Sequence, residues 1–297
     1  MGEVLVRTEP PAVPPSVRTS PAPRPLAEPV LKWAGGKRRL VEQYASHLEG
    51  KFKSYHEPFF GGGAVYFWLW NQLRLKRKSA RLCDINPELV NFYQVLQTQA
   101  EELIVEMERH QDQHDQEHYY QVRQLSPNDL DPLQRAGRLL YLNRTCFNGL
   151  YRENSKGQFN VPMGRYKRPR ISHPEGLRAA SLALGQAVIE KAPFSAVEEH
   201  ARKGDLVYFD PPYDPLTPTA SFTSYTQHSF GTSQQKELSE LFRRLSQRGV
   251  KVLLSNSDTP LIRELYQGFQ VVEVSAARAI NSKADRRQKI TELLVIG

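Results

Sequence analysis

A chain of 297 residues, 39% hydrophobic and 10% aromatic, is long enough for one large α/β domain or for a core with a smaller insert. Its net charge of +8 favours a polyanionic partner, while two cysteines, Cys83 and Cys146, exclude a disulfide scaffold and fit a reducing, cytoplasmic setting. No apolar run reaches the roughly 18 residues of a membrane helix, and the cysteines and eight scattered histidines lack metal-ligand spacing, so no metal is expected.

Residues 1–29 are rich in Pro, Ala, Ser and Thr and have no apolar stretch of the signal-peptide kind. They cannot bury enough apolar surface to offset their ordering entropy, so a disordered tail is expected. Order begins near Val30. Trp33-Ala34-Gly35-Gly36-Lys37 leads into a helical pattern carried by Leu40, Val41, Tyr44 and Leu48. The loop is no phosphate loop, because Leu31 and Arg38 stand where that motif requires Gly and a hydroxyl. Trp33 is placed to pack on a cofactor ring and Lys37 to reach into the same cleft, although a Gly-Gly turn with a solvated lysine would give this loop equally well.

A strand over 55–60 is expected next, ending in Gly61-Gly62-Gly63, then an apolar helix through Val65, Phe67, Trp68 and Leu69. The pattern Phe59-x-Gly61-x-Gly63 lets a ligand approach backbone N–H groups at a helix N-terminus. A second strand ends at Asp84, 21 residues beyond Gly63, a spacing suited to ribose hydroxyls. Tyr66 fills the place where a dinucleotide loop needs a third small residue. A nucleoside cofactor without phosphates fits better, and S-adenosylmethionine is the common one. Pro87 then opens a helix at its first turn. Strand, glycine loop, helix and strand ending in an acid make half of a doubly wound sheet.

From 99 to 200 the chain reads as a mostly helical insert, with helices over 101–110 and 133–143 and no buried parallel strand. Between 144 and 170, seven Lys/Arg face one acid, Glu153, and Phe147, Leu150, Tyr151, Phe159 and Tyr166 are interleaved among them. Asn154-Ser155-Lys156-Gly157 reads as a hairpin turn. Basic charge suits phosphates, Arg and Asn suit base edges, and apolar wedges fill a vacated base stack. A solvated basic loop explains the charge but not the aromatics.

The parallel-sheet signal resumes at Asp205-Leu206-Val207-Tyr208-Phe209 and runs into Asp210-Pro211-Pro212-Tyr213. Two prolines stiffen the backbone and offer carbonyls without competing N–H groups. The Asp210 carboxylate, the Pro211 carbonyl and the Tyr213 ring therefore suit a planar amine such as a nucleobase turned out of its helix. Taken alone, the four residues could be merely a stiff turn after a buried strand. Helices over 234–247 and 260–267 flank a strand over 251–255. Two β-rich runs, 269–274 and 290–296, close the chain as an antiparallel edge pair, with a basic loop at 278–289 that would touch phosphate.

Together the segments 31–37, 57–64, 83–86, 142–166, 207–213, 222–230 and 254–258 resemble the Dam-like, alpha-group (D12 class) adenine-N6 DNA methyltransferases. The most specific is Phe147-Asn148-Gly149-Leu150-Tyr151-Arg152 through Phe159-Asn160-Val161-Pro162-Met163-Gly164-Arg165-Tyr166. The resemblance implies a Rossmann-like α/β S-adenosylmethionine-dependent methyltransferase sheet, with core segments 30–98 and 201–297 and a target-recognition insert at 99–200 that carries a β-hairpin. It implies base flipping, double-stranded DNA as partner, a monomer, and GATC as the site. Trp33, Lys37, Phe60, Gly61, Gly63, Asp84 and Asp210 would surround the cofactor, and Asp210, Pro211 and Tyr213 would carry the chemistry. Arg144, Phe147, Asn148, Leu150, Arg152, Pro162 and Arg165 would meet DNA, with Arg152 reading a guanine and Phe147 and Leu150 entering the stack. Met163 and Thr145-Cys146 depart from commoner versions and bear on the outer bases. Methylation of RNA adenine, of cytosine N4 or of a glutamine side chain, and a non-catalytic DNA-binding subunit, are the alternatives. The chemistry would serve a restriction-modification pair or a regulatory or repair role alike.

Overall fold

The computed structural model describes residues 25–33, 35–37, 40–75, 79–216, 230–277 and 289–297. Most of the proline-rich tail, the segment 222–229 and the basic loop 278–288 lie outside the described residues.

Seven strands form one sheet: β1 (Tyr55–Glu57), β2 (Ala80–Asp84), β3 (Ala187–Lys191), β4 (Leu206–Phe209), β5 (Lys251–Ser257), β6 (Gln270–Ala277) and β7 (Lys289–Ile296), in the order β3-β2-β1-β4-β5-β7-β6. The first five are parallel, and β7 runs antiparallel between β5 and β6. Strand order reverses between β1 and β4. In a doubly wound α/β sheet that reversal opens a crevice at the carboxyl ends of the strands. This is the Rossmann-like α/β architecture expected from the sequence, and the closing antiparallel pair is as predicted.

β4 shows why the sheet is legible. Leu206, Val207, Tyr208 and Phe209 are all fully buried, as a strand covered on both faces requires. Successive side chains point to opposite faces. Leu206 and Tyr208 join the core cluster with Tyr55, Leu82 and Leu253, whereas Val207 and Phe209 join Val252, Leu254, Leu293 and Val295. Each such burial is worth about 1.5–3 kcal/mol.

Ten helices are described: α1 (Val41–Leu48), α2 (Ala64–Asn71), α3 (Pro87–Thr98), α4 (Ala100–Asp112), α5 (Gln116–Gln124), α6 (Pro132–Thr145), α7 (Pro174–Leu184), α8 (Val197–His200), α9 (Thr232–Gln247) and α10 (Pro260–Leu265). Pro87 begins α3 as expected, and the Asn86 side chain caps it by accepting from the N–H groups of Glu88 and Leu89. The start of α6 is fixed by a capping box between Asp131 and Gln134, with Pro132 behind it. Buried Leu238, Leu241, Phe242 and Leu245 give α9 its sheet-facing stripe.

One expectation is corrected. A parallel strand does lie between 99 and 200: β3 pairs residue for residue with β2, from Ala187 with Ala80 to Lys191 with Asp84. As an edge strand it alternates, with Val188 exposed and Ala187 and Ile189 buried. A five-residue run holding Glu190 and Lys191 carries no apolar signal of a covered strand. The β1 strand is also shorter than the expected 55–60, because Pro58 ends it and the chain turns into the glycine loop.

Candidate active site

The carboxyl ends of β2, β1, β4 and β5 lie side by side at the crevice. Beyond β1, Gly61 takes φ +47 and Gly63 φ +68, the left-handed region that glycine enters without penalty. A Cβ on Gly63 would lie 2.6 Å from the Phe60 ring, and one on Gly61 would lie 3.1 Å from Trp33. Both positions therefore need glycine for conformation and for space. Asp84, at the end of β2, accepts from the Gly61 N–H at 2.9 Å and from the Asn86 N–H at 2.9 Å. The Tyr93 hydroxyl donates to the Gly61 carbonyl at 2.9 Å. The loop is thus held from both of its peptide groups. Burial raises the Asp84 carboxyl above its ordinary value, against the lowering effect of these backbone N–H donors. Phe60 is only 3% exposed, its ring tilted at 60° against Tyr93 with centroids 4.6 Å apart, and it backs Gly63 from the core side.

At the end of β4, Asp210 is held by two donors on a single oxygen. Its Oδ1 accepts from Ser255 Oγ at 2.8 Å and lies 2.8 Å from Lys37 Nζ. Ser255 in turn bonds the Tyr208 hydroxyl at 2.9 Å, so a chain of three residues from β4, β5 and α1's approach fixes the carboxylate. Lys37 is 3% exposed and also donates to the Gly35 carbonyl at 2.6 Å. Its ammonium lies 4.5 Å from the centre of the Tyr213 ring. The Tyr213 hydroxyl donates to Glu292 on β7 at 2.7 Å. Gln235 of α9 donates to the Pro212 carbonyl at 3.0 Å and accepts from Asn256 at 3.1 Å. Asn256 also accepts from the Asp214 N–H at 3.1 Å. Rigid prolines and these bonds leave Asp210-Pro211-Pro212-Tyr213 no slack.

Glu57 lies at the end of β1, 2% exposed, and accepts from the Tyr55 hydroxyl at 2.8 Å. Burial pushes its carboxyl well above the carboxylate range, and the charges of Asp210 and Asp84 add to that. Glu57 ends β1, the strand that lies between β2 and β4, so the glycine loop with Asp84 and the Asp210 turn flank it on either side. Burial likewise raises the Tyr213 hydroxyl well above its ordinary value, and Asp210 adds to the effect. Among the described residues the buried Tyr44 hydroxyl has no hydrogen-bond partner, and burial raises it, with Glu292 and Asp210 adding to the effect.

The predicted DNA-facing residues form a second group at the end of α6. Phe147 and Leu150 are 48% and 38% exposed, a large exposure for apolar side chains. Asn148, between them, takes φ +56, a left-handed conformation that Asn tolerates better than most residues. The hairpin is present as two isolated antiparallel bridges, Cys146 with Met163 and Glu153 with Phe159. Its turn is closed by Gly157 at φ +72 and by the Asn154 side chain, which accepts from the Lys156 and Gln158 N–H groups. Arg152 is exposed, and its Nε is braced by Asn160 Oδ1 at 2.7 Å. Pro162 and Arg165 are exposed nearby. Arg144 differs: its Nε is buried without a partner, and burial together with the Arg170 charge lowers its affinity for a proton.

Sequence reasoning brought together Lys37, Asp210 and Tyr213, and it placed Asp84 beside Gly61. It missed Ser255, Glu292, Glu57 and Gln235. Ser255 stands at the carboxyl end of a foreseen strand, beside Asp210 in the sheet, and that position was its signal. Glu292, a carboxylate inside an apolar strand, was another. Gln235 left none.

Comparison with known proteins agrees with the geometry. The pattern for D12 class N6 adenine-specific DNA methyltransferase matches residues 33–280. The type II methyltransferase M.MjaIII of Methanocaldococcus jannaschii is 41% identical over 286 residues, 91% of this chain and 98% of the relative. A DNA adenine methylase of Vibrio cholerae is 38% identical over 269 residues, 90% of this chain and 94% of the relative. The DNA N-6-adenine-methyltransferase of Escherichia phage P1 is 42% identical over 281 residues, 92% of this chain and 36% of the longer phage protein. A family match over most of the chain, with relatives near 40% identity along almost all of it, fixes the class: this chain belongs to the D12 class N6 adenine-specific DNA methyltransferases, and is an adenine-specific DNA methyltransferase.

Proposed function

We propose that this chain transfers a methyl group from S-adenosylmethionine to N6 of an adenine turned out of duplex DNA, and that its site is GATC. The observation that carries this reading is the Asp210 carboxylate, tied through Oδ1 by Lys37 and Ser255, at the crevice that the glycine loop also lines. With both donors on Oδ1, Oδ2 keeps its acceptor capacity for a ligand. The type II methyltransferases and DNA adenine methylases among the relatives fit the same chemistry.

The residues present fit the cofactor. Gly61 and Gly63 take left-handed turns that only glycine fits against Trp33 and Phe60 and that leave the loop backbone bare of side chains, Asp84 keeps acceptor capacity beside them, and Trp33 flanks the loop. Trp33, Gly61, Gly63, Asp84, Lys37 and Asp210 would hold it, with Phe60 backing the loop. Bound there, S-adenosylmethionine supplies a methyl group on a cationic sulfur.

The adenine amine is a poor nucleophile, since its lone pair is delocalised into the ring. Asp210 and the Pro211 carbonyl accept its two N–H bonds, localise the lone pair, and stabilise the positive charge that develops on nitrogen. Such preorganised stabilisation is made largely in the transition state, and positioning supplies much of the rest. The transfer is an in-line displacement that calls on no metal. Tyr213, anchored by Glu292, stacks the base on the ring face that Lys37 leaves uncovered. Stacking worth about 1–3 kcal/mol per base offsets part of a flipping cost of a few kcal/mol. Phe147 and Leu150 fill the vacated stack, Arg152 reads a guanine edge, and Asn148, Pro162 and Arg165 lie along the DNA.

Sequencing of modified bases in DNA from cells expressing the chain tests the reading. N6-methyladenine confined to GATC is the expected result. Methylated cytosine, or methylation of RNA alone, would overturn the assignment of the amine or of the polymer, and a different motif would overturn GATC.

A further inference from the structure

Asn143 lies on the last turn of α6, 2% exposed, and its side chain points inward instead of joining the exposed face of the hairpin. Every polar atom of its amide is nonetheless engaged. Oδ1 accepts from the Lys32 N–H at 2.8 Å, and Nδ2 donates to the Lys32 carbonyl at 2.8 Å and to the Gly149 carbonyl at 3.2 Å. An amide that pairs with both peptide groups of one residue substitutes for a neighbouring strand. A third bond then joins that residue to a segment 117 positions further along the chain, Gly149.

What these bonds join gives them meaning. On one side, Trp33 follows Lys32 directly, and its side chain lies against Gly61 and Gly62 of the cofactor loop. On the other side, Gly149 stands between Asn148 and Leu150, at the centre of the segment offered to DNA. A Cβ on Gly149 would come within 2.5 Å of the Lys32 side chain, so the two segments are packed as closely as backbone permits. The Trp33 and Tyr151 rings, with centroids 5.1 Å apart, make a second link between the same pair. A buried, fully bonded amide has no second arrangement of equal energy, because any shift leaves a buried donor or acceptor unmatched. Movement of the 147–150 loop is therefore transmitted to residues 32 and 33, and movement of Trp33 is transmitted back.

We infer that Asn143 is a positioning residue that joins the cofactor loop and the DNA-recognition loop into one unit, so that cofactor and duplex bind cooperatively. The inference rests on the site assignments under Proposed function. Ordering of residues 31–33 by a ligand against Trp33 orders 147–150 in advance, and DNA seated on that loop does the reverse. By linkage the two effects are equal in magnitude.

The test is a pair of titrations on the full chain. Duplex affinity for a GATC oligonucleotide is measured by fluorescence anisotropy with and without saturating S-adenosylhomocysteine, the demethylated donor. In the unaltered protein the nucleoside is expected to tighten DNA binding by about fivefold or more, the lower end of usual coupling. In Asn143→Asp, which loses both donated bonds, the ratio is expected to fall to within about twofold of unity. Each ligand bound alone should stay within about threefold of normal. Should Asn143→Asp fail to fold, Tyr151→Leu removes the ring link and is expected to reduce the ratio as well. Gln97→Ala, which loses bonds to the Leu184 and Ala187 carbonyls and none to either loop, is a control for lost stability and should keep the full ratio. If both ligands bind the unaltered chain without coupling, or if Gln97→Ala loses coupling as Asn143→Asp does, the inference is overturned while the proposed function stands. Absence of nucleoside binding altogether would instead overturn the proposed function.

Discussion

The crevice at the ends of β1, β4 and β5 and the loop-and-hairpin region after α6 are built on opposite plans. In the crevice, Asp210, Tyr213 and Pro212 are each tied by side chains from other elements, Asp84 is tied to the Gly61 N–H, and Lys37 and Glu57 are almost completely buried. In the hairpin, the outer arm is held by local bonds, Asn154 to Gln158 and Arg152 to Asn160, while its base is tied down by Tyr119 and Arg123 at the Val161 carbonyl and by Asn143 at the Gly149 carbonyl. Phe147 and Leu150 stand exposed with nothing packed over them to hide their apolar surface. Chemistry gains from groups that need no reorganisation at the moment of reaction, so the crevice is rigid before any ligand arrives. On the proposed reading, recognition gains from a surface that the partner completes, and the exposed side chains of the hairpin would take their final packing from DNA.

Variants in the two regions should therefore fail differently, the crevice ones in stability and rate and the hairpin ones in discrimination. The largest effect is expected for Lys37→Met. It leaves the Asp210 carboxylate with Ser255 alone, and breaking a buried pair costs up to about 3–5 kcal/mol, less here because Asp210 is 20% exposed. Chemical denaturation measures it, and the double variant Lys37→Met with Asp210→Asn should recover much of the loss. Gly63→Ala comes next. A left-handed alanine costs about 1–2 kcal/mol, and its methyl group would press on the Phe60 ring. Calorimetric titration should show weaker nucleoside binding with unchanged DNA binding. Arg152→Ala should lose about 1–3 kcal/mol of discrimination at one base pair while the fold is untouched. Uniform weakening on every sequence would make it a phosphate contact instead.

The smallest effect concerns the helical insert. His118 bonds His110 Nδ1 at 2.9 Å, and burial, followed by the charges of His110 and Arg109, lowers its proton affinity, while Asp115 opposes them. A base with a depressed folded value stabilises the fold above its unfolded value of about 6.5, and that stability is lost as the pH falls toward the folded one. His118→Gln should therefore be less stable than the unaltered chain at pH 7.5, and the gap in melting temperature should close by pH 5. A gap that widens on acidification would reverse the sign.

The sheet was legible where strands are buried on both faces and close on a distinctive residue. Val207 to Asp210 and Leu82 to Asp84 carry that signal in their composition. β3 escaped because an edge strand alternates and here ends in Glu190 and Lys191, so its membership is decided by pairing with β2 and not by its own residues. Lys37, Asp210 and Tyr213 could be grouped from motifs, but the bonds that hold them could not. Ser255 and Glu292 are ordinary residues in strands remote in sequence, and only the order β4-β5-β7 brings them to the turn. Asn143 was visible as part of a basic, aromatic stretch, and its inward direction was not.

The most direct test of the central claim is the single-turnover rate of methyl transfer to a GATC duplex by Asp210→Asn, with cofactor and duplex both saturating. Asparagine keeps the shape and an acceptor oxygen but removes the charge that stabilises the developing cationic nitrogen. The expected result is a rate lower by on the order of a hundredfold or more, with duplex affinity within about threefold of normal. A rate within threefold of the unaltered chain would mean that the residue 210 carboxylate does not activate the amine.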